Sequence, residues 1–204
     1  MSLLVGALLW VLATGRTRWE WVVKPAAAAT FLVTGVLAGA LDSGFGRVLF
    51  AGLVLAALGD VLLIPKSKAS FLGGLIAFLL GHVAYAVAFL VRGVDVPFTA
   101  GAALLLGLVS VPVLRWLWPH VERPMRGPVV AYIVVITAMV AVAAGTVRRF
   151  EGWLLLVGAV AFYLSDLAVA RERFVKRGFV NRAWGLPLYF FAQMLLASQA
   201  HLAH

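Results

Sequence analysis

The sequence predicts an all-α, polytopic membrane protein with eight transmembrane helices, because of its composition, the lengths of its apolar runs and the placement of its charges. Of its 204 residues, 64% are hydrophobic and 12% are charged, and the mean hydropathy is +1.04. These values lie well beyond those of a soluble globular domain. A water-soluble fold is therefore excluded.

Charge clusters, prolines and glycines divide the chain into eight apolar runs. Most runs approach the roughly 20 residues that cross the hydrocarbon core of a bilayer. They cover residues 2–15, 25–41, 46–64, 70–91, 97–118, 127–147, 152–170 and 185–203. The first run covers only about 21 Å at about 1.5 Å per residue, so it spans only if Trp19 and Trp21 extend it into the interface. No linker interrupts the runs, so residues 1–204 are expected to form a single integral-membrane domain.

The basic residues predict the orientation. A net charge of +9 would suggest nucleic acid in a soluble chain, but here Lys and Arg fall between apolar runs, where they set topology and contact anionic lipid headgroups. Alternate loops are unequal in basic residues, so the richer set should be cytoplasmic and both termini should lie on the other face. The richer set contains Arg16, Arg18, Lys24, Lys66, Lys68, Arg115, Arg123, Arg126, Arg171, Arg173, Lys176, Arg177 and Arg182, and the poorer set Arg47, Arg92, Arg148 and Arg149.

Two acidic residues, Asp60 and Asp166, lie inside apolar runs. A carboxylate in hydrocarbon costs several kcal/mol by most estimates, so an intramembrane aspartate is a candidate functional residue. Each lies four residues before its run ends, about 6 Å from the predicted cytoplasmic edge at about 1.5 Å per residue. Their surroundings are also similar, LGDVLL against LSDLAV, four spans apart. This similarity suggests a four-plus-four parallel repeat.

Small and polar residues indicate which helix faces point inward. Gly52 and Gly59 accompany Asp60, and Gly158, Phe162, Ser165 and Val169 accompany Asp166. Helical spacing then predicts a polar cavity that is open toward the cytoplasm. Its candidate substrate-binding residues are His82 and Tyr85 on the fourth run and Tyr189 and Gln193 on the eighth.

Structural interpretations of the same residues stay open at this stage. Either aspartate can pair with a neighbouring arginine or cap a helix purely for assembly, and His82 can simply bind a neighbouring helix. A thiolate site is excluded because the chain has no cysteine, and neither HExxH nor GxSxG occurs. No metal and no cofactor is predicted.

The segment LGDVLLIPKSKASFLGGLIAFLLGHVAYAVAF, followed about a hundred residues later by GAVAFYLSDLAVARERF, resembles the paired signatures of the YhhN family of eight-span membrane proteins, whose animal members are lysoplasmalogenases. The resemblance covers nearly the whole chain. It implies that Asp60 and Asp166 are the catalytic carboxylates and that His82, Tyr85 and Asn181 are cavity residues. It also implies a lysophospholipid substrate, an alkenyl-glycerophosphocholine or -ethanolamine.

The implied chemistry suits two carboxylates. Hydrolysis of a vinyl ether to a fatty aldehyde and a glycerophospho-alcohol begins with protonation of the alkenyl carbon, which gives an oxocarbenium-like cation. One aspartate can donate that proton while the other stabilises the cation or activates water. The residue pattern alone does not say which aspartate is the acid. The headgroup is expected at Lys66, Lys68 or the basic segment from Arg171 to Arg182.

Two other classes of protein remain as alternatives. A proton-coupled or lipid transporter can use the same aspartates, although carriers usually place such groups near the midplane. A non-catalytic membrane scaffold predicts that Asp60→Asn and Asp166→Asn change no activity.

Overall fold

A computed structural model describes residues 1–65, 67–150 and 152–202. These residues form eight α-helices and contain no strand, so the all-α prediction is confirmed. The helices are α1 Ser2–Ala13, α2 Thr17–Leu37, α3 Gly44–Leu62, α4 Lys68–Arg92, α5 Val96–Leu117, α6 Arg123–Phe150, α7 Trp153–Ala170 and α8 Phe179–Ser198. A 3₁₀ turn at Trp118–His120 follows α5, and a π-helical turn at Arg171–Val175 continues α7.

Helices α2 to α7 are long and apolar enough to cross a membrane, and they make the chain a multi-pass membrane protein. Within the described residues, α1 and α8 do not share this property. Helix α1 has only 12 residues. Helix α8 has 20, but Asn181, Arg182 and Gln193 lower its hydropathy.

Two helices begin six or more residues earlier than the apolar runs predicted. Helix α2 begins at Thr17 instead of residue 25, and α8 begins at Phe179 instead of residue 185. The prediction that Lys24 lies in a loop is therefore wrong, since α2 includes it and buries it. A charged residue did not end the helix here because a lysine's long aliphatic stem packs along apolar surface and its ammonium finds a buried partner.

Close approaches between helices depend on small residues. A Cβ atom on Gly59 of α3 would lie 2.7 Å from the Phe78 ring of α4, and one on Gly52 would lie 2.5 Å from the Tyr85 ring. On the other side, a Cβ on Gly185 of α8 would lie 2.5 Å from Cβ of Ala168 on α7. The predicted packing face of α3 is confirmed, and in lipid such faces let helix backbones approach closely.

The interior and the outer surface differ as expected for a membrane domain. Rings of Phe31, Phe78, Phe162 and Tyr189 form one buried cluster in which neighbouring centroids are 5.5–6.4 Å apart. By contrast, α5 exposes leucines on its outer face, including Leu104, which is 73% exposed. An apolar face of this kind is suited to contact with lipid tails rather than water.

Candidate active site

A cavity of about 510 Å³ opens at one end of the helix bundle. Its walls come from the C-terminal parts of α1, α3, α5 and α7 and from the N-terminal parts of α2, α4, α6 and α8, as far as Tyr189 near the middle of α8. This alternation shows that consecutive helices run in opposite directions. The volume is within the usual range of small-molecule sites. Both Asp60 and Asp166 line this cavity.

Asp60 of α3 is enclosed by two donors from other helices. The Lys24 ammonium of α2 lies 3.2 Å from Oδ1 of Asp60 and also donates to the Asp60 carbonyl at 2.9 Å. The Tyr189 hydroxyl of α8 donates to Oδ2 at 2.7 Å. The Lys24 and Asp60 side chains are only 8% and 3% exposed, so this is a buried ion pair that needs its additional hydrogen bonds.

Asp166 of α7 has different partners. The Tyr132 hydroxyl of α6 donates to Oδ2 at 2.7 Å, and Nε2 of His82 on α4 lies 3.5 Å from the same oxygen. Among the described residues, no Lys or Arg nitrogen lies within salt-bridge distance of Asp166. Its side chain is 15% exposed, more open to the cavity than that of Asp60.

Aromatic rings occupy the space between the two carboxylate environments. The Phe162 ring lies 4.3 Å from the His82 ring and 5.5 Å from the Tyr189 ring, measured between centroids. Phe78 contacts Phe162 and Tyr189, and its carbonyl is 2.7 Å from Nδ1 of His82. These rings fix the partners of both aspartates in one apolar framework.

Charged residues line the cavity near the helix ends. Glu172, in the π-helical turn, accepts hydrogen bonds from the Gly178 amide and from Nδ2 of Asn181, both at 2.7 Å, and pairs with Arg182 at 3.4 Å. Arg173 stacks over the Phe71 ring at 4.2 Å. These contacts hold the connection between α7 and α8 against the cavity, where Arg177 and Glu20 of α2 also line the wall.

The other residues predicted from the sequence divide into three groups. Tyr189 and Asn181 line the cavity, whereas His82 is not part of its wall but lies 3.5 Å from the Asp166 carboxylate. Tyr85 and Gln193 instead bind each other, with the Tyr85 hydroxyl donating to Oε1 of Gln193 at 2.6 Å, and neither is part of the described cavity wall. Lys68 is exposed at the start of α4 and is not among the residues that line the cavity, whereas Lys66 lies outside the described residues.

Lys24 and Tyr132 were missed by sequence reasoning. Lys24 was assigned to a loop because it borders an apolar run. Its spacing from Glu20, four residues earlier, would have placed both on one helix face. Tyr132 carries no comparable signal, because a lone tyrosine in an apolar run usually packs with its hydroxyl satisfied.

The fold and the site together define a multi-pass membrane protein in which one buried and one partly buried carboxylate line the same cavity. The sequence model of the YhhN family matches residues 19–200, and the chain belongs to this family. The prediction of this family is thus confirmed. No solved structure matches the chain.

Curated relatives extend this comparison. The chain is 33% identical to a lysoplasmalogenase of Mycobacterium tuberculosis over 177 residues, which are 83% of this chain and 66% of the relative. It is 30% identical to lysoplasmalogenase TMEM86A of Bos taurus over 158 residues, 74% of this chain and 64% of the relative. It is 32% identical to human lysoplasmalogenase TMEM86B over 161 residues, 78% of this chain and 66% of the relative. The chain thus spans slightly less than two thirds of these relatives.

Proposed function

We propose that this protein is a lysoplasmalogenase-like hydrolase that cleaves the vinyl ether bond of an alkenyl-glycerophospholipid. The observation that carries the proposal is that Asp60 and Asp166, on helices α3 and α7, line one cavity. Similarity to three curated lysoplasmalogenases supports the choice of reaction.

The reaction adds water across the vinyl ether. A carboxylic acid transfers a proton to the alkenyl carbon remote from oxygen, and positive charge spreads over the other carbon and the ether oxygen. Water adds to that carbon and loses a proton to a base, which gives a hemiacetal. The hemiacetal hydroxyl then loses its proton and the glycerol oxygen gains one as the bond between the hemiacetal carbon and that oxygen breaks, releasing a fatty aldehyde and a glycerophospho-alcohol. A paired acid and base serve the same purposes in glycoside hydrolysis, which also passes through an oxocarbenium-like state.

The cavity suits an amphiphile with one chain. Apolar residues of α5 and α6, including Val113, Leu117, Ile133 and Ile136, form one wall. Arg173, Arg177 and Arg182 contribute guanidinium groups to the same cavity, and guanidinium groups suit phosphate oxygens. We assign the tail to the apolar wall, the phosphate to the arginines and the vinyl ether to the two carboxylates.

The proposal includes eight spans that form one membrane domain over residues 1–204. The protein lies in the cell membrane, and its active site opens on the cytoplasmic side. The alternating direction of the helices supports eight spans, because α1 and α8 contribute to the same end of the cavity as the other six. That end also has the loops that are richer in Lys and Arg, which typically face the cytoplasm. Asn181 and Gln193 of α8 are buried and hydrogen-bonded, to Glu172 and Tyr85 respectively, so this helix can span despite its lower hydropathy.

A four-plus-four repeat is also part of the proposal, and the partners of the aspartates support it. Asp60 on α3 is bound from α2 and α8, while Asp166 on α7 is bound from α6 and α4. A repeat of four helices would relate α2 to α6, α3 to α7 and, because the order closes on itself, α8 to α4. This relation converts the partners of Asp60 into those of Asp166. The same relation pairs Lys24 with Tyr132 and Tyr189 with His82, and each pair is separated by nearly the same number of residues as the two aspartates.

The test is to incubate purified protein in detergent with a lysoplasmalogen and, separately, with an acyl lysophospholipid, and to measure aldehyde and fatty acid. We expect aldehyde from the vinyl ether lipid. Asp60→Asn and Asp166→Asn should each lower its release by at least about 100-fold, the scale of one acid–base contribution.

Asp95→Asn is the matched control. Asp95 caps α5 by accepting from the Phe98 amide, far from the cavity wall, and asparagine caps equally well. This variant should keep the wild-type rate. Aldehyde release that survives both cavity substitutions would refute the aspartate mechanism. If neither ether nor ester lipid is cleaved, the hydrolase proposal fails, and transport becomes the better interpretation of the carboxylates.

A further inference from the structure

We infer that the two aspartates are held in opposite protonation states by unlike partners: Lys24 keeps Asp60 as the carboxylate, and His82 holds Asp166 as the proton donor. This inference deepens the proposed hydrolysis and rests on it for the catalytic roles. Lys24 and His82 are positioning residues, because each acts through an aspartate.

Lys24 provides a fixed positive charge for Asp60. Its ammonium lies 3.2 Å from Oδ1 and is anchored on the Asp60 carbonyl at 2.9 Å, while Oδ2 accepts from Tyr189 at 2.7 Å. Each carboxylate oxygen thus faces a donor. An ionised carboxylate satisfies both donors at once, whereas removing its charge would leave a buried ammonium without a counter-charge.

His82 presents an acceptor to Asp166. Nδ1 lies 2.7 Å from the Phe78 carbonyl, and a carbonyl oxygen only accepts, so Nδ1 carries a hydrogen. In the neutral imidazole Nε2 then has a lone pair, which makes no hydrogen bond among the described residues and lies 3.5 Å from Oδ2 of Asp166. The Tyr132 hydroxyl is bound to the same Oδ2 at 2.7 Å. A protonated Asp166 supplies the hydrogen that this arrangement lacks. The imidazole is fully buried, and a neutral pair avoids placing two charges in an apolar setting.

The assignment fixes each role in the reaction. Asp166, the more exposed of the two, transfers its proton to the alkenyl carbon. Asp60 is negative during this first step and stabilises the oxocarbenium-like cation, and it then accepts the proton that water loses on attack. As the hemiacetal breaks, Asp60 returns that proton to the departing glycerol oxygen and Asp166 takes the proton of the hemiacetal hydroxyl, so both aspartates start the next cycle in their original states and no further reactant is needed.

Infrared difference spectroscopy of the purified protein measures these states without substrate. The wild-type spectrum minus that of Asp60→Asn should show a carboxylate band, which the substitution removes. The wild-type spectrum minus that of Asp166→Asn should instead show the carbonyl band of a protonated carboxyl group. Lys24→Met should convert the Asp60 band to the protonated form, while Lys24→Arg should preserve it. The inference is overturned if both aspartates give the same type of band, or if Lys24→Met leaves the Asp60 band unchanged.

Anion rescue is an independent kinetic measurement on the same chain. Asp60→Ala leaves space beside the Lys24 ammonium, so added formate or azide should raise the rate of this variant at least about 10-fold above its rate without the anion. The double variant Lys24→Met/Asp60→Ala should gain less than about 2-fold, and Asp166→Ala should gain nothing from azide, which cannot supply the proton. Equal rescue with and without Lys24 contradicts the inference.

Two controls distinguish a failure of this inference from a folding defect and from a failure of the proposed function. Lys24→Met can destabilise the protein by leaving Asp60 unpaired, so Lys24→Met/Asp60→Asn, in which both partners are neutral, reports whether the fold tolerates loss of the pair. A wild-type protein that shows the two predicted infrared bands but releases no aldehyde would refute the hydrolase and leave the protonation states intact. An active wild type with the wrong bands would refute only the division of roles.

Discussion

The Tyr189 hydroxyl on α8 donates to Oδ2 of Asp60 on α3 across 2.7 Å, and the same ring packs edge-on against Phe78 of α4. One tyrosine therefore joins three helices at the carboxylate. Tyr189→Phe keeps the ring and removes only the donor, so we expect the fold to persist and kcat for aldehyde release to fall by about 10-fold.

The matched control for that variant is Tyr163→Phe. Tyr163 also lines the cavity, but its hydroxyl lies 3.2 Å from Oγ of Ser110 and contacts neither aspartate. Its kcat should stay within about 2-fold of wild type. Equal losses in the two variants would mean that the Tyr189 hydrogen bond has no special role at Asp60.

Tyr85→Phe should affect stability without affecting catalysis. The Tyr85 hydroxyl binds buried Gln193 at 2.6 Å, and losing it leaves the Gln193 carbonyl without that donor. We expect the free energy of unfolding to fall by about 1–2 kcal/mol, measured by thermal or denaturant unfolding in detergent, with kcat and KM unchanged. A large rise in KM would restore the substrate-binding role that the sequence suggested for Tyr85.

Gly59→Ala should destabilise the α3–α4 interface beside Asp60. The added methyl group would lie 2.7 Å from the Phe78 ring, which is itself packed against Phe162. The cost should be about 1–3 kcal/mol in unfolding free energy. Gly101→Ala on the exposed face of α5, where a Cβ meets nothing within 4 Å, should leave Tm unchanged or slightly raised.

Glu172→Gln should loosen the connection between α7 and α8. The carboxylate of Glu172 accepts from the Gly178 amide, Asn181 and Arg182, and charged acceptors form the stronger hydrogen bonds. We expect a lower Tm and faster proteolysis within the segment between α7 and α8, with a weaker effect from Glu122→Gln at an exposed position. Unchanged proteolysis would show that other contacts suffice to hold this segment.

The sequence was sufficient to predict the helical membrane fold and the two aspartates that line one cavity, because an acid in an apolar run is conspicuous and its depth follows from helix geometry. The start of α2 could not be predicted in the same way. A rule that ends a helix at a charge places Lys24 outside, although the ammonium is satisfied by Asp60, 36 residues away along the chain. Helical spacing also placed Tyr85 and Gln193 on inward faces, but only the tertiary structure shows that they bind each other.

The cavity wall is charged in one part and apolar in another, and this difference has a consequence for how the reaction products leave. Arginines lie toward the helix ends, whereas the wall from α5 and α6 is largely aliphatic apart from Tyr132, and the outer face of α5 exposes apolar side chains. Under the proposed reaction, the two halves of a severed lipid have opposite solubilities. The oily aldehyde can escape sideways into the bilayer while the phosphate-bearing alcohol departs into water, so neither product needs to pass the other on its way out.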